Sequence, residues 1–264
     1  MKKRYIILIC LCVLILWTVW GNTALEVNEW HIQSDRLPES FDGFRIAQVS
    51  DLHNAENDRL LPLLEKAEPD VIVLTGDLID SRDTDVASAL EFVREAVQIA
   101  PCYYVSGNHE SRVPEREELW AGLRELGVVM LDNAAVQLER DGETICLMGL
   151  ADPAFGGIHR EILRAMASED QGYTVLLSHR PELFDDYAAC SVALVFSGHA
   201  HGGQFRLPIL GGLVAPNQGI LPEYDAGLFA EDGTAMLVSR GIGNSIIPIR
   251  FNNRPEIVVA ILER

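Results

Sequence analysis

Five short apolar runs in this sequence each stop at a cluster of Asp, Asn or His. Phe44–Ser50 stops at Asp51-Leu52-His53, Val71–Thr75 at Gly76-Asp77, and Cys102–Ser106 at Gly107-Asn108-His109-Glu110. Tyr173–Ser178 stops at His179, and Val192–Ser197 at Gly198-His199-Ala200-His201-Gly202-Gly203. Runs this short, rich in Val, Ile and Leu, read as strands covered on both faces. Val128–Leu131, Thr144–Gly149, Ala235–Ser239 and Glu256–Leu262 add strand candidates. Between them, Val86, Ala89, Leu90, Val93 and Val97 recur at helical spacing, residues 114–126 form an acidic amphipathic stretch, and a third helix is expected from about Ile158 to Ser168. Such alternation predicts one α/β domain with two sheets sandwiched between helices.

Ligand sites in α/β sheets gather at the carboxyl ends of strands. These five runs would deliver two Asp, one Asn and five of the chain's seven histidines to one rim, leaving only His31 and His159 outside. Singly, an Asp-x-His or Asn-His is a turn or capping element. Together they carry chemistry. His-x-His on a strand puts both rings on one face, as a metal requires. A structural zinc site needs four ligands, whereas eight N and O donors without cysteine fit two catalytic metals better.

Charge narrows the function further. Against 21 Lys+Arg stand 39 Asp+Glu, a net −18, and beyond Lys2-Lys3-Arg4 the only lysine is Lys66. A surface so acidic repels phosphate backbones, so no long nucleic acid is expected as a partner, while divalent cations suit its field. From Tyr5 to Trp20 the only polar side chain is Thr18. Carried to Leu25, a helix of this run would reach about 31 Å, matching a bilayer's hydrocarbon core of about 30 Å. Residues 1–25 are read as a membrane anchor with Trp17 and Trp20 at its outer interface; cleavage as a signal, near Gly21 to Ala24, is the alternative. Lys2-Lys3-Arg4 would keep the anchor's start inside and put the remainder outside the cytoplasm. Residues 26–43 read as a polar tether, and 44–264 as the catalytic domain. Cys10 and Cys12 lie in the apolar run; Cys102, Cys146 and Cys190 read as small core hydrophobes rather than a disulfide framework.

Asp51-Leu52-His53, Gly76-Asp77, Gly107-Asn108-His109-Glu110, His179 and Gly198-His199-Ala200-His201 resemble, in order, the motif set of the calcineurin-like metallophosphoesterases. The blocks LSHRPELF, GHAHGGQ and RFNNRPEI resemble its bacterial membrane-associated branch. Ala200 stands where relatives often carry Thr; it lies between ligands. The resemblance implies a four-layer α-β-β-α sandwich with two mixed sheets and a dinuclear site at the strand ends. It implies that Asp51, His53 and His201 bind one metal, Asn108, His179 and His199 the other, and that Asp77 bridges them. His109 would stabilise charge on the phosphoryl group or protonate the leaving oxygen. The ions would be Mn, Fe or Zn, a choice this donor set leaves open. Two such cations lower the pKa of a bridging water toward ~7, and the resulting hydroxide would attack phosphorus.

Arg180 is a candidate substrate contact or an ion-pair member, and Glu110 a brace for His109 or a solvated turn carboxylate. His159 either lines the cleft or starts a helix; Arg240 and Arg250 have no role readable from sequence, and Trp120 reads as core. The resulting reading is a membrane-tethered phosphoesterase acting on a phosphodiester or pyrophosphate, lipid-linked or sugar-nucleotide. Its alternatives are a nuclease or cyclic-nucleotide phosphodiesterase on the same metals, and a silent metal-binding interaction module. No protein partner is implied.

Overall fold

Side chains two apart along a strand share a face, so Val71–Thr75 sends Ile72 and Leu74 one way and Val71 and Val73 the other. That division sets the layers of the computed structural model, which describes residues 2–264 except 57, 168–171 and 245. The strands are β1 (Glu26–Gln33), β2 (Arg45–Val49), β3 (Val71–Thr75), β4 (Cys102–Val105), β5 (Val129–Met130), β6 (Ala134–Arg140), β7 (Glu143–Gly149), β8 (Thr174–Leu177), β9 (Leu194–Ser197), β10 (Gly227–Glu231), β11 (Thr234–Val238) and β12 (Glu256–Glu263). Two-residue ribbons in the 206–220 loop add to these. The helices are α1 (Lys2–Thr23), α2 (Leu60–Lys66), α3 (Val86–Ile99), α4 (Arg116–Glu125), α5 (His159–Ala167) and α6 (Phe184–Ala188).

One six-stranded sheet runs β1-β12-β2-β3-β4-β5 and the other β10-β11-β9-β8-β7-β6. Each is mixed: β12 is antiparallel to β2, whereas β2, β3, β4 and β5 are parallel. In the second sheet β11, β9, β8 and β7 are parallel, with antiparallel edges. Ile46, Val73 and Val105 of the first sheet meet Leu147, Val175, Leu177 and Phe196 of the second. The first sheet's outer face (Ala47, Val49, Ile72, Leu74) takes Leu64 of α2, Ala89 and Val93 of α3, and Leu119 and Leu123 of α4. On the second sheet, Met148, Leu176 and Val195 take Leu163 of α5 and Phe184 and Tyr187 of α6. Each such large apolar side chain contributes about 1.5–3 kcal/mol on full burial. The expected four-layer α-β-β-α sandwich is the fold.

One expectation needs correcting. Residues 26–43 are part of the domain, not a tether. Glu26–Gln33 pairs in parallel with β12 from Glu26↔Glu256 to Gln33↔Glu263, and Ile32, Leu37 and Phe41 are buried in the intersheet core. As an edge strand, β1 leaves Glu29, His31 and Gln33 exposed while Ile32 turns inward, so its composition looks like that of a linker. The third helix begins at His159 and runs to Ala167, and Ser168 lies outside the described residues. Cys102 and Cys146 are buried, Cys190 is half-buried, and all five cysteines are free thiols. Trp120 is half-buried against the α2–α4 core, with the Arg116 guanidinium 5.9 Å over its ring.

Helix α1 stands out from the domain, its apolar side chains exposed, and Lys3–Thr23 has the length and apolarity of a membrane span. Its end is fastened. Asn22 Nδ2 donates to the Arg250 carbonyl at 2.8 Å, Arg250 N donates back to Asn22 Oδ1 at 2.8 Å, and the Arg254 guanidinium lies 4.7 Å over the Trp20 ring.

Candidate active site

Both sheets point their strand ends at one rim. Leaving β2 comes Asp51 and His53, leaving β3 Asp77, leaving β4 Asn108 and His109, leaving β8 His179, and leaving β9 His199 and His201; all eight are buried. Gln48, also buried, joins the sheets just beneath: its Nε2 donates to Thr75 Oγ1 and to the Ser197 carbonyl, both at 2.8 Å. The chain turns sharply at the rim. Asp51 (φ 51°), His53 (47°), Asp77 (53°), His199 (64°) and His201 (48°) all occupy the left-handed region, which non-glycine residues avoid. Each costs on the order of 1–3 kcal/mol and persists only where neighbours hold it. Here Asp51 N donates to the Gly76 carbonyl, His53 N to the Asp77 carbonyl and Gly243 N to the Asp51 carbonyl, knitting three loops together.

Two clusters of donor atoms result. In the first, His53 Nε2 and His201 Nε2 face each other at 3.3 Å, with Asp51 Oδ1 3.4 Å from His201 Nε2. In the second, His179 Nε2 lies 3.2 Å from Asp77 Oδ2, with His199 beside them. The Asn108 carboxamide terminus is 2.8 Å from His199 Nδ1. Asp77 Oδ2 belongs to both clusters, being also 3.7 Å from His53 Nε2. Asp77 Oδ1 accepts from His109 N at 2.8 Å, which fixes the carboxylate between them.

The proton positions favour cations. His179 Nδ1 donates to the Thr75 carbonyl at 2.8 Å, so in the neutral ring the Nε2 lone pair points at the Asp77 carboxylate. A lone pair facing an anion demands a proton or a cation between them. Burial opposes charge on His179, yet Asp77 overrides it and pushes the pKa up to about 10. Burial, against the pull of Asp77, holds His53 down at about 3. Burial keeps His199 and His201 well below the ordinary imidazole value, reinforced by His179 and Arg180 for His199 and by His53 and Arg250 for His201. Neutral imidazoles beside buried carboxylates are the donor set of borderline divalent ions, and these residues fit a pair of them.

His109 is different in kind. The backbone N–H of Ser81 donates to its Nδ1 at 3.0 Å, so the neutral ring carries its proton on Nε2, which lies 4.0 Å from Asp77 Oδ2. A protonated Nε2 donates a hydrogen bond instead of binding metal, although His109 also groups geometrically with His53 and Asp77. Asp80, 3.6 Å from His109 Nδ1, stands behind the ring.

Sequence reasoning left several neighbours unassigned. Glu110 is fully buried and accepts from the backbone N–H groups of Leu78 (2.7 Å), Gly107 (2.9 Å) and Asp77 (3.1 Å). It therefore clamps the Asp77 loop to the Asn108 loop, and neither braces the His109 ring nor faces solvent. Burial and the nearby Asp77 push its pKa up to about 8. Arg180 is held by Asp152, Nε to Oδ2 at 2.5 Å and Nη2 to Oδ1 at 2.9 Å. Its Nη1 reaches Asn217 Oδ1 at 3.0 Å and lies 2.9 Å from His199 Nε2. His159 starts α5 and sets Nε2 2.6 Å from the Ala151 carbonyl. Arg240 pairs with Glu26 and Glu256 at the corner where β1 meets β12. Fully buried Arg250 donates to the carbonyls of Arg240 and Gly243 and to Asn244 Oδ1, and burial lowers its pKa to about 10. The spacing Gly-Asp-x-x-Asp could have flagged Asp80; Ser81, Asp152 and Asn217 carry no comparable signal.

With this geometry, the chain belongs to the calcineurin-like phosphoesterase family, which matches residues 44–203. The resemblance read from its motifs is borne out, and the protein is a metallophosphoesterase, a phosphoester-hydrolysing enzyme. It is 31% identical over 252 residues to the uncharacterized metallophosphoesterase YkuE of Bacillus subtilis, covering 90% of this chain and 86% of that one. A Danio rerio transmembrane protein with metallophosphoesterase domain is 29% identical over 260 residues, 90% of this chain but 57% of that longer protein. The Escherichia coli phosphodiesterase YaeI is 28% identical over 229 residues, 82% of this chain and 81% of that protein.

Proposed function

We propose that this protein is a membrane-anchored phosphodiesterase using two divalent ions, one held by Asp51, His53 and His201 and the other by Asn108, His179 and His199, with Asp77 between them. The observation that carries the reading is the shared carboxylate, Asp77 Oδ2 facing His53 Nε2 at 3.7 Å and His179 Nε2 at 3.2 Å. Likeness to the phosphodiesterase YaeI supports a diester substrate. When bound, the ions supply an activated water and neutralise phosphoryl charge. Left unneutralised, the buried carboxylates of Asp51 and Asp77 would repel an anionic substrate.

The chain's own groups do the rest. His109, its Nδ1 taken by the Ser81 N–H, holds a proton on Nε2 for the leaving oxygen or a phosphoryl oxygen. Arg180, fixed by Asp152, sets a positive charge beside His199 to draw the phosphoryl group. Residues 1–25 anchor the chain, and the positive charges at its start put the catalytic domain on the extracytoplasmic side. A residue such as His109, poised as a donor and unsuited to bind metal, has no use in a silent binding module.

The test is turnover of bis(p-nitrophenyl) phosphate against p-nitrophenyl phosphate by the full chain with Mn²⁺ and with chelator. The diester is expected to be the better substrate, with activity lost on chelation. Activity indifferent to chelator would overturn the metal assignment, and a strong monoester preference would overturn the diester.

A further inference from the structure

Beside the metal-ligand rim lies a face of a different character. Scattered exposed apolar side chains are ordinary in folded proteins. Here they are gathered in two loops, with Ile209 fully exposed, Ile220 at 83% and Ile246 at 74%, joined by Leu210, Leu221 and Ile249. The loops are tied to the ligand turn itself. Gln204 Nε2 donates to the carbonyls of Ile247 and Ile249 at 2.7 and 2.8 Å, and Leu213 N donates to the Phe205 carbonyl at 2.9 Å. Between them opens a largely apolar cavity of ≈ 230 Å³, lined by Val214, Ala215, Pro216, Ile246 and Ile247 together with His201. One of the proposed metal ligands thus lines an apolar pocket.

One of these loops is fastened to the anchor. Asn22, at the end of α1, is hydrogen-bonded on both sides to the backbone of Arg250, next to the 246–249 loop. Arg250 in turn donates to the Gly243 carbonyl, and Gly243 N donates to the Asp51 carbonyl at 2.7 Å. A helix that spans a bilayer with Trp20 at the interface therefore brings the 246–250 loop toward headgroup depth, and with it the 204–221 loop bonded to it through Gln204 and Arg206. An exposed apolar cluster in that position is a contact surface.

We infer that loops 204–221 and 246–251 rest in the lipid surface and that the substrate is an amphiphilic phosphodiester delivered from the bilayer, its apolar part entering the cavity beside His201. This rests on the phosphodiesterase reading above and names its substrate class. At net −18 the protein gains nothing from anionic headgroups, so the contact works by apolar insertion and persists on a zwitterionic membrane at high salt.

The experiment uses the full chain in phosphatidylcholine nanodiscs with Mn²⁺ and two substrates that both release p-nitrophenol: soluble bis(p-nitrophenyl) phosphate and bilayer-partitioned hexadecyl p-nitrophenyl phosphate. For the double variant Ile209→Asp, Ile220→Asp, the ratio of kcat/KM on the lipid diester to that on the soluble one is expected to fall at least tenfold. A ratio within twofold of the parent overturns the inference. So does a parent dimer in detergent that the double variant turns into monomer with the ratio unchanged, which would assign the face to a second copy. In nanodiscs of brominated phosphatidylcholine, Ile220→Trp is expected to add a quenched fluorescence component absent from the parent. If the parent hydrolyses neither substrate, the phosphodiesterase reading has failed, while the quenching still reports whether the loops touch lipid.

Discussion

The ligand rim and the loop face beside it are neighbours built on opposite rules. The rim is buried, strained and over-determined: five of its residues stand at positive φ, with Asp51, His53 and Asp77 held by backbone bonds between loops and the backbones of His199 and His201 held by the side chains of Asp51 and Asn253. The loop face is exposed, rich in glycine and proline, and organised by two-residue ribbons. Precision at the rim comes from burial, because a low-dielectric pocket makes a misplaced carboxylate or imidazole costly. The loops carry no such constraint, and so can present apolar groups outward. Rigid strand ends position the chemistry while the loop selects what reaches it.

That contrast can be broken at several points. The largest effect is predicted at Asp77→Asn, which weakens both clusters at once: diester kcat/KM should fall on the order of 10³-fold or more. A variant within tenfold of the parent in steady-state assays would refute the shared-carboxylate assignment. Next comes Gly107→Ala. A methyl there would stand 2.2 Å from Asp77 Oδ1 and 2.5 Å from Asp77 N, so something must shift. Activity should drop about 100-fold through misplacement, and urea unfolding should show a loss of about 1–3 kcal/mol. Unchanged unfolding and turnover would mean that the two loops are not in tight contact.

His109→Ala sharpens the contrast within the rim itself. Turnover should fall about 10²-fold, while two metals per chain remain by elemental analysis, because its proton-bearing Nε2 binds none. Loss of one metal would reclassify it as a ligand. The smallest effect belongs to the loop face: Leu221→Asp should change stability by no more than about 0.5 kcal/mol. Leu221 is 54% exposed at φ 55°, a conformation that Asp tolerates better than Leu. A loss of several kcal/mol on denaturant titration would show that this face is packed and not presented.

Much of this molecule could be read from its residues, for definable reasons. The central strands β2, β3, β4, β8 and β9 are buried on both faces, so their apolar runs stand out and their polar ends mark the site. The three strands missed are β1, β6 and β10, and each is the edge of a sheet. An edge strand keeps polar side chains on its solvated face, and Glu29, His31 and Gln33 gave β1 the look of a tether. Within the site, residues that carry a lone pair or a charge at a strand end were legible. Their supports were not. Glu110 looked like a turn residue because its work is to accept N–H groups from a loop some thirty residues earlier. Asp152 and Asn217 reach the rim through Arg180, because β7 and β8 lie side by side in the second sheet and the 206–220 loop returns to that edge.

The sequence by itself determined the layers, the family and the list of side chains able to hold metal, since hydrophobic period and residue type are local properties. Only the tertiary structure decided which nitrogen of His109 carries the proton, which loops Glu110 clamps together, and that His201 lines an apolar pocket. Those outcomes depend on distances between segments far apart in the chain, and distances are set by how two sheets pack.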